Sequence, residues 1–211
     1  MYRGRRILLR AAQQFVCGAV LVIVTGLALT GCGSGDDGGG GGPTNSSPQP
    51  GAGDVVQDDV HNGQDVAFAG SMIAHHRQGI EIARLATGRT RNEKVLAIAK
   101  QIEDEQTPEH TEMTGWMTEW GKPPPASGAT ITGITGLVPP ADLARLRAAK
   151  DTAFDRAFLT LMISHHEGGV SQSRDEQRTG ADERARGLAE DMAGSEQERL
   201  TELNALAQPA R

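Results

Sequence analysis

The chain has 211 residues, with 21 Lys and Arg against 27 Asp and Glu, a formal net charge of −6 and only 3% aromatic residues. That acidic balance argues against nucleic acid or anionic lipid as a charge-driven partner. Its two cysteines, Cys17 and Cys32, both precede the part of the chain that can fold, which excludes disulfides, thiol catalysis and Cys-based metal sites from that part.

Arg3, Arg5, Arg6 and Arg10 lead into an uncharged apolar run from Phe15 to Thr30, the pattern of a secretory leader. The run ends in Leu29-Thr30-Gly31-Cys32, which resembles a bacterial lipobox. The resemblance implies a signal peptide over residues 1–31, a fatty-acylated Cys32 (the palmitate class of modification) and a lipid anchor at the extracytoplasmic face of the cell membrane. An uncleaved membrane anchor is the alternative, but the run is short for a spanning helix of ~20 residues. Loss of the leader removes four arginines and no acid, taking the formal charge to −10. Residues 32–53, with "GSGDDGGGGGPTNSSPQPGAG" after the cysteine, carry too few apolar groups to offset ordering entropy and read as a flexible tether.

Residues 54–211 are one domain by length. The first helical pattern runs from Asn62, an N-cap residue, to about Ala86 before Gly88. Its apolar face holds Phe68, Met72, Ile73, Gly79 and Ile82, with His75 and His76 among them, while Arg77, Glu81 and Arg84 lie opposite. A second helix starts near Asn92 and stops at "WGKPPP", where Gly121 can terminate it and the prolines forbid continuation. Its inner arc carries Ile102, Gln106, Glu109, His110, Met113 and Met117, with Pro108 predicting a kink beside Glu109 and His110.

Residues 121–140 connect the halves without demanding regular structure. A short helix over 141–149 leads into a third long helix from Asp151 to about Gln177, and a fourth covers Asp182 to Ala207. The third repeats the first: Phe158, Met162, Ile163, His165, His166 and Gly169 follow Phe68, Met72, Ile73, His75, His76 and Gly79 at a constant offset of 90, as Asp155 follows Asp65. The fold class predicted is therefore all-α, a four-helix bundle built from a duplicated helix pair with halves at about 58–120 and 141–207. Duplication also predicts an approximate two-fold that brings both His-His segments to one core, with Phe68 and Phe158 sharing it.

Four histidines and two methionines at matched apolar positions need partners, since each unsatisfied buried polar group costs ~1–3 kcal/mol. The chain has no Glu-x-x-His of the di-iron kind; it reads Met-x-x-His-His twice. Thioether and imidazole favour Cu(I), and imidazole also accepts Cu(II), so copper is the expected ion and Met72, His75, His76, Met162, His165 and His166 the candidate ligands. Glu109, His110 and Met113 are secondary candidates, present only in the first half because Arg199, Leu200 and Leu203 stand at the matching places. Glu196 and Arg199, at i,i+3 spacing, read as a plain ion pair.

Two other readings stay open. Buried histidines can simply hydrogen-bond carboxylates such as Asp65, Asp155, Glu109 or Glu196, giving a metal-free envelope module. A small metal-dependent enzyme is the other, although no nucleophile-base-orienter set is visible and no catalytic residue is assigned. Beyond the membrane anchor, the partners considered are a second copy of the chain, as a homo-oligomer, and a protein that gives or takes the metal.

The paired "MIAHH" and "MISHH" segments, the "FDRAFLTLMISHHEGG" context and the leader resemble the bacterial family called domain of unknown function 305. The resemblance covers roughly Asp58 to Leu206. It implies a ferritin-like helical-bundle fold, export, and for some relatives copper binding and resistance through the positions of the two Met-x-x-His-His motifs. Ile82 and Gln172 stand where that family often has a methionine, which argues against high-capacity methionine-rich storage.

Overall fold

The computed structural model describes residues 60–126 and 133–208; the leader, Cys32 and the tether lie outside the described residues. Among the described residues five helices follow in order: α1 Gly63–Leu85, α2 Glu93–Glu119, α3 Pro140–Ala148, α4 Asp151–Thr179 and α5 Glu183–Ala207. Among the described residues there is no strand.

Local chemistry sets the helix starts. Asn62 caps α1 in a capping box with Asp65, Asn92 caps α2, and Asp182 caps α5 by accepting from Arg184 N and Ala185 N. Gly121, with φ of 65°, lets the chain turn out of α2 in the left-handed region. The helix runs unbroken through Pro108, which has no N–H to offer the carbonyl of Asp104.

Each of the four long helices packs against two others, α1 against α2 and α4, α5 against α2 and α4. The matched aspartates explain part of this closure. Asp65 accepts from Ala181 N and Asp182 N, tying α1 to the start of α5, and Asp155 accepts from Asn92 Nδ2, tying α4 to the start of α2. Matched positions are linked in both halves, since Asn92 and Asp182 are also 90 residues apart, but through backbone N–H groups at Asp65 and through a side-chain amide at Asp155.

The start of α1 meets the end of α4, with Asn62 Nδ2 donating to Thr179 O, and Asp151 N donates to Arg89 O at the other end. Helices α1 and α4 are therefore antiparallel. Residues seven positions before each histidine pair must then lie at opposite ends, each ~10 Å from the histidines along its axis. Phe68 and Phe158 accordingly do not share one core. Phe68 packs with Met72, Met113, Trp116 and Met192, whereas Phe158 packs with Ile82, Ile102, Met162 and Leu203.

Candidate metal centre

His75 and His165, equivalent in the two halves, stack face to face with ring centroids 3.6 Å apart and planes 16° from parallel. Antiparallel helices related by a pseudo-two-fold must meet at one equivalent pair, and this is that pair. His76 and His166 flank the stack at 6.1 and 5.8 Å between centroids, and all four imidazoles are buried.

Backbone carbonyls fix the tautomers, because a carbonyl only accepts. His75 Nε2 donates to His165 O at 3.0 Å, His165 Nδ1 to Gly136 O at 3.2 Å, and His166 Nδ1 to Met162 O at 2.8 Å. In the neutral rings the lone pairs are therefore on His75 Nδ1, His165 Nε2 and His166 Nε2. Of these, His75 Nδ1 and His165 Nε2 are buried without a hydrogen-bond partner, as is His76 Nδ1. Oriented, deprotonated and unpartnered nitrogens are what a metal ligand requires.

Burial keeps the rings neutral. It holds His75 and His165 well below the ordinary imidazole value of 6.5, with the neighbouring histidines adding to the effect, and lowers His76 to about 3 and His166 to about 4. His76 Nε2 lies 2.8 Å from Glu109 Oε2. Burial raises that carboxyl to about 8, although its side chain retains 19% exposure.

The second hairpin contributes Glu196, for which the sequence offers two places, an ion pair with Arg199 or a carboxylate beside a buried histidine. Glu196 is buried with neither carboxylate oxygen hydrogen-bonded, and burial pushes it well above the usual carboxylate range. It does not pair with Arg199, whose guanidinium turns to Glu105, Glu202 and Gln101 instead. His75, His76 and Glu196 present ligand atoms that lie within 4.8 Å of one another. Around an ion with bonds of ~2.0–2.2 Å, three equivalent ligand atoms stand roughly 3.5–3.8 Å apart, so the side chains would draw together on binding.

Glycines make the room. A Cβ on Gly169 would lie 2.5 Å from Glu196 Cδ, and one on Gly79 would lie 2.8 Å from His165 Nε2 and 3.1 Å from Gln106 Cδ. The glycine three residues after each His-His pair thus admits the side chain of the neighbouring hairpin helix, Glu196 in one half and Gln106 in the other. A strap around Gly136 closes over the stack, where φ of 87° at Gly136 aims its carbonyl at His165. Gln78 holds the strap through Val138 at both the N–H and the carbonyl. Neither contact was visible in the connection's sequence.

Met72 and Met113 share one apolar cluster and Met162 lies in the other. His110 lines a surface groove with Arg77 and Thr111.

The family model of DUF305, a domain of unknown function, matches residues 65–207. The chain belongs to this family. A DUF305 protein from Streptomyces coelicolor is 26% identical, with a TM-score of 0.63, over 68% of this chain and 91% of that one. CopM in its Cu(II)-bound form is 25% identical with a TM-score of 0.59, over 68% of this chain and 95% of CopM. Its Cu(I)-bound form gives 25% and 0.57, over 67% and 93%. Among curated proteins none matches. The DUF305 chain and CopM thus share an all-helical fold, and both oxidation states of copper are seen bound in CopM.

Proposed function

We propose that this DUF305 protein is exported, held on the outer face of the membrane through an acylated Cys32, and binds copper to buffer it or hand it on. The observation that carries this reading is the stacked neutral pair His75 and His165, each with one ring N–H tied to a backbone carbonyl and the other ring nitrogen buried without a partner. The candidate imidazoles are those of His75, His76, His165 and His166. Met72 and Met162, one turn before each pair, are the thioether candidates that would favour Cu(I). CopM, bound to Cu(I) and Cu(II) on a related fold, supports the choice of ion.

A bound cation would supply the positive charge that the buried, unpaired Glu196 carboxyl lacks. The chain's own part is to orient the rings, exclude water and keep the imidazoles deprotonated. A metal-free module would leave three buried imidazole nitrogens and a carboxyl without partners, which counts against it. Titration of the purified full chain with Cu(I), Cu(II) and Zn(II) tests the proposal. Stoichiometric copper binding tighter than zinc is expected; no uptake of copper in either state would overturn it.

A further inference from the structure

We infer that the chain holds a single Cu(II) ion, at a site made by His75 and His76 of α1 with Glu196 of α5, and that the duplicated counterpart of this site holds none. The inference rests on the copper reading above and specifies which half binds, how many ions, and in which oxidation state.

Duplication gives two equivalent positions. Applying the offset of 90 to His75, His76 and Glu196 gives His165, His166 and Gln106, with an amide where the first position has a carboxyl. An amide cannot ionise, so the second position supplies no anionic ligand. Gln106 is nonetheless buried with both its amide atoms unpartnered, and it fills the space above Gly79 as Glu196 fills that above Gly169. The geometry is retained while the charge is lost.

A second exchange acts in the same direction. Glu109, 2.8 Å from His76, has Arg199 as its counterpart. The Arg199 side chain is 7% exposed, and its charge acts unfavourably on a protonated His166. A cation placed beside His166 would meet the same repulsion, offset in part by Glu105 and Glu202, which pair with Arg199. The first position therefore has two carboxyl groups at the matched places, Glu196 and Glu109, and the second has an amide and a guanidinium that is itself paired with Glu105 and Glu202.

The donor set selects the oxidation state. Two imidazoles and a carboxylate suit a divalent ion, and among first-row divalent ions such sites bind Cu(II) most tightly. The ligands come from both hairpins, so the ion would bridge α1 to α5, helices outside each other's hairpin.

Cu(II) titration of the metal-free full chain against a competing chelator, with electron paramagnetic resonance of the bound ion, tests this. One equivalent is expected, with nitrogen and oxygen coordination. Glu196→Gln, which keeps the side-chain volume, should weaken Cu(II) by about a hundredfold while changing Cu(I) little, and Gln106→Leu should leave Cu(II) affinity unchanged. Helix content and melting of each variant are followed by circular dichroism, with Glu196→Asp as a second variant that keeps the charge and should retain part of the affinity. Two equivalents in the wild type, or wild-type Cu(II) affinity in a folded Glu196→Gln, would overturn the single-site inference. Copper binding lost in His75→Ala would then keep the broader proposal standing, whereas no copper uptake by the wild type would overturn both.

Discussion

Gly168 lies within α4 where the strap crosses it. A Cβ there would sit 2.5 Å from Thr135 O and 2.6 Å from Gly136 N, and closer still to Gly136 Cα. Gly→Ala inside an exposed helix ordinarily stabilises by about 1 kcal/mol. Here the obstruction is backbone rather than the movable tip of a side chain, so the strap must retreat by about 1 Å to reach ordinary contact. Overpacking of this kind costs ~1–3 kcal/mol, and with rigid backbone on the far side the upper figure applies. Subtracting the helix gain leaves a net loss of about 2 kcal/mol, which for a domain of this size lowers Tm by roughly 4–8 °C. Gly187 and Gly194 in α5 are the controls, since a Cβ on either meets nothing within 4 Å. Gly187→Ala and Gly194→Ala should each raise Tm by roughly 2–4 °C. Thermal melts followed by circular dichroism read all three, and hydrogen exchange at Leu137 and Val138 reads the strap. A Gly168→Ala variant stabilised like the controls would refute the close approach of strap and helix, and with it the bond that orients His165.

Phe158→Ala should cost ~3–5 kcal/mol and shift the entire unfolding transition, because its cluster draws residues from all five helices; two separate transitions in denaturant would show independent halves. The metal-free protein should be most stable near pH 6.5, where the four depressed histidines have given their full contribution and the raised carboxyls have lost only part of theirs. Below 6.5 the depressed histidines bind fewer protons folded than unfolded, so their contribution is lost as pH falls toward about 4 and 3. Above 4.5 the raised carboxyls of Glu109 and Glu176 act oppositely, losing their contribution as pH rises to about 8. A Tm that climbs steadily from pH 5 to 8 would contradict this balance. Met72→Leu with Met162→Leu should weaken Cu(I) far more than Zn(II), as measured by chelator competition, if the thioethers are ligands. Mass spectrometry of the native protein should find Cys32 acylated; an unmodified chain beginning at Met1 would exclude the anchor.

The helices were legible because their signals are local. Asn62, Asn92 and Asp182 are capping residues, and the α1 stripe from Phe68 to Ile82 has helical period. The 90-residue offset made the His75–His165 meeting predictable. The placement of Phe68 and Phe158 was not, because a repeat does not reveal whether its copies run parallel or antiparallel. Glu196 was misread because Arg199, one turn away, is an adequate local partner; only the packing of α5 against α2 shows Arg199 drawn to Glu105 and Gln101. The signal that could have found it was present in the repeat, since Glu196 matches Gln106 and both face a glycine of the other helix in their hairpin. The strap had no such signal, as Gly136 becomes informative only through its φ and the ring it meets.

The central claim is that the stacked pair His75 and His165 and its neighbours hold copper rather than merely fill the core. Copper affinity of the full chain, measured against a competing chelator for the wild type and for His75→Ala combined with His165→Ala, tests it most directly. The account predicts that the double variant keeps its helix content, since alanine is the better helix former, and loses tight copper binding. Equal affinity in the two proteins would contradict the account and assign the histidines to packing alone.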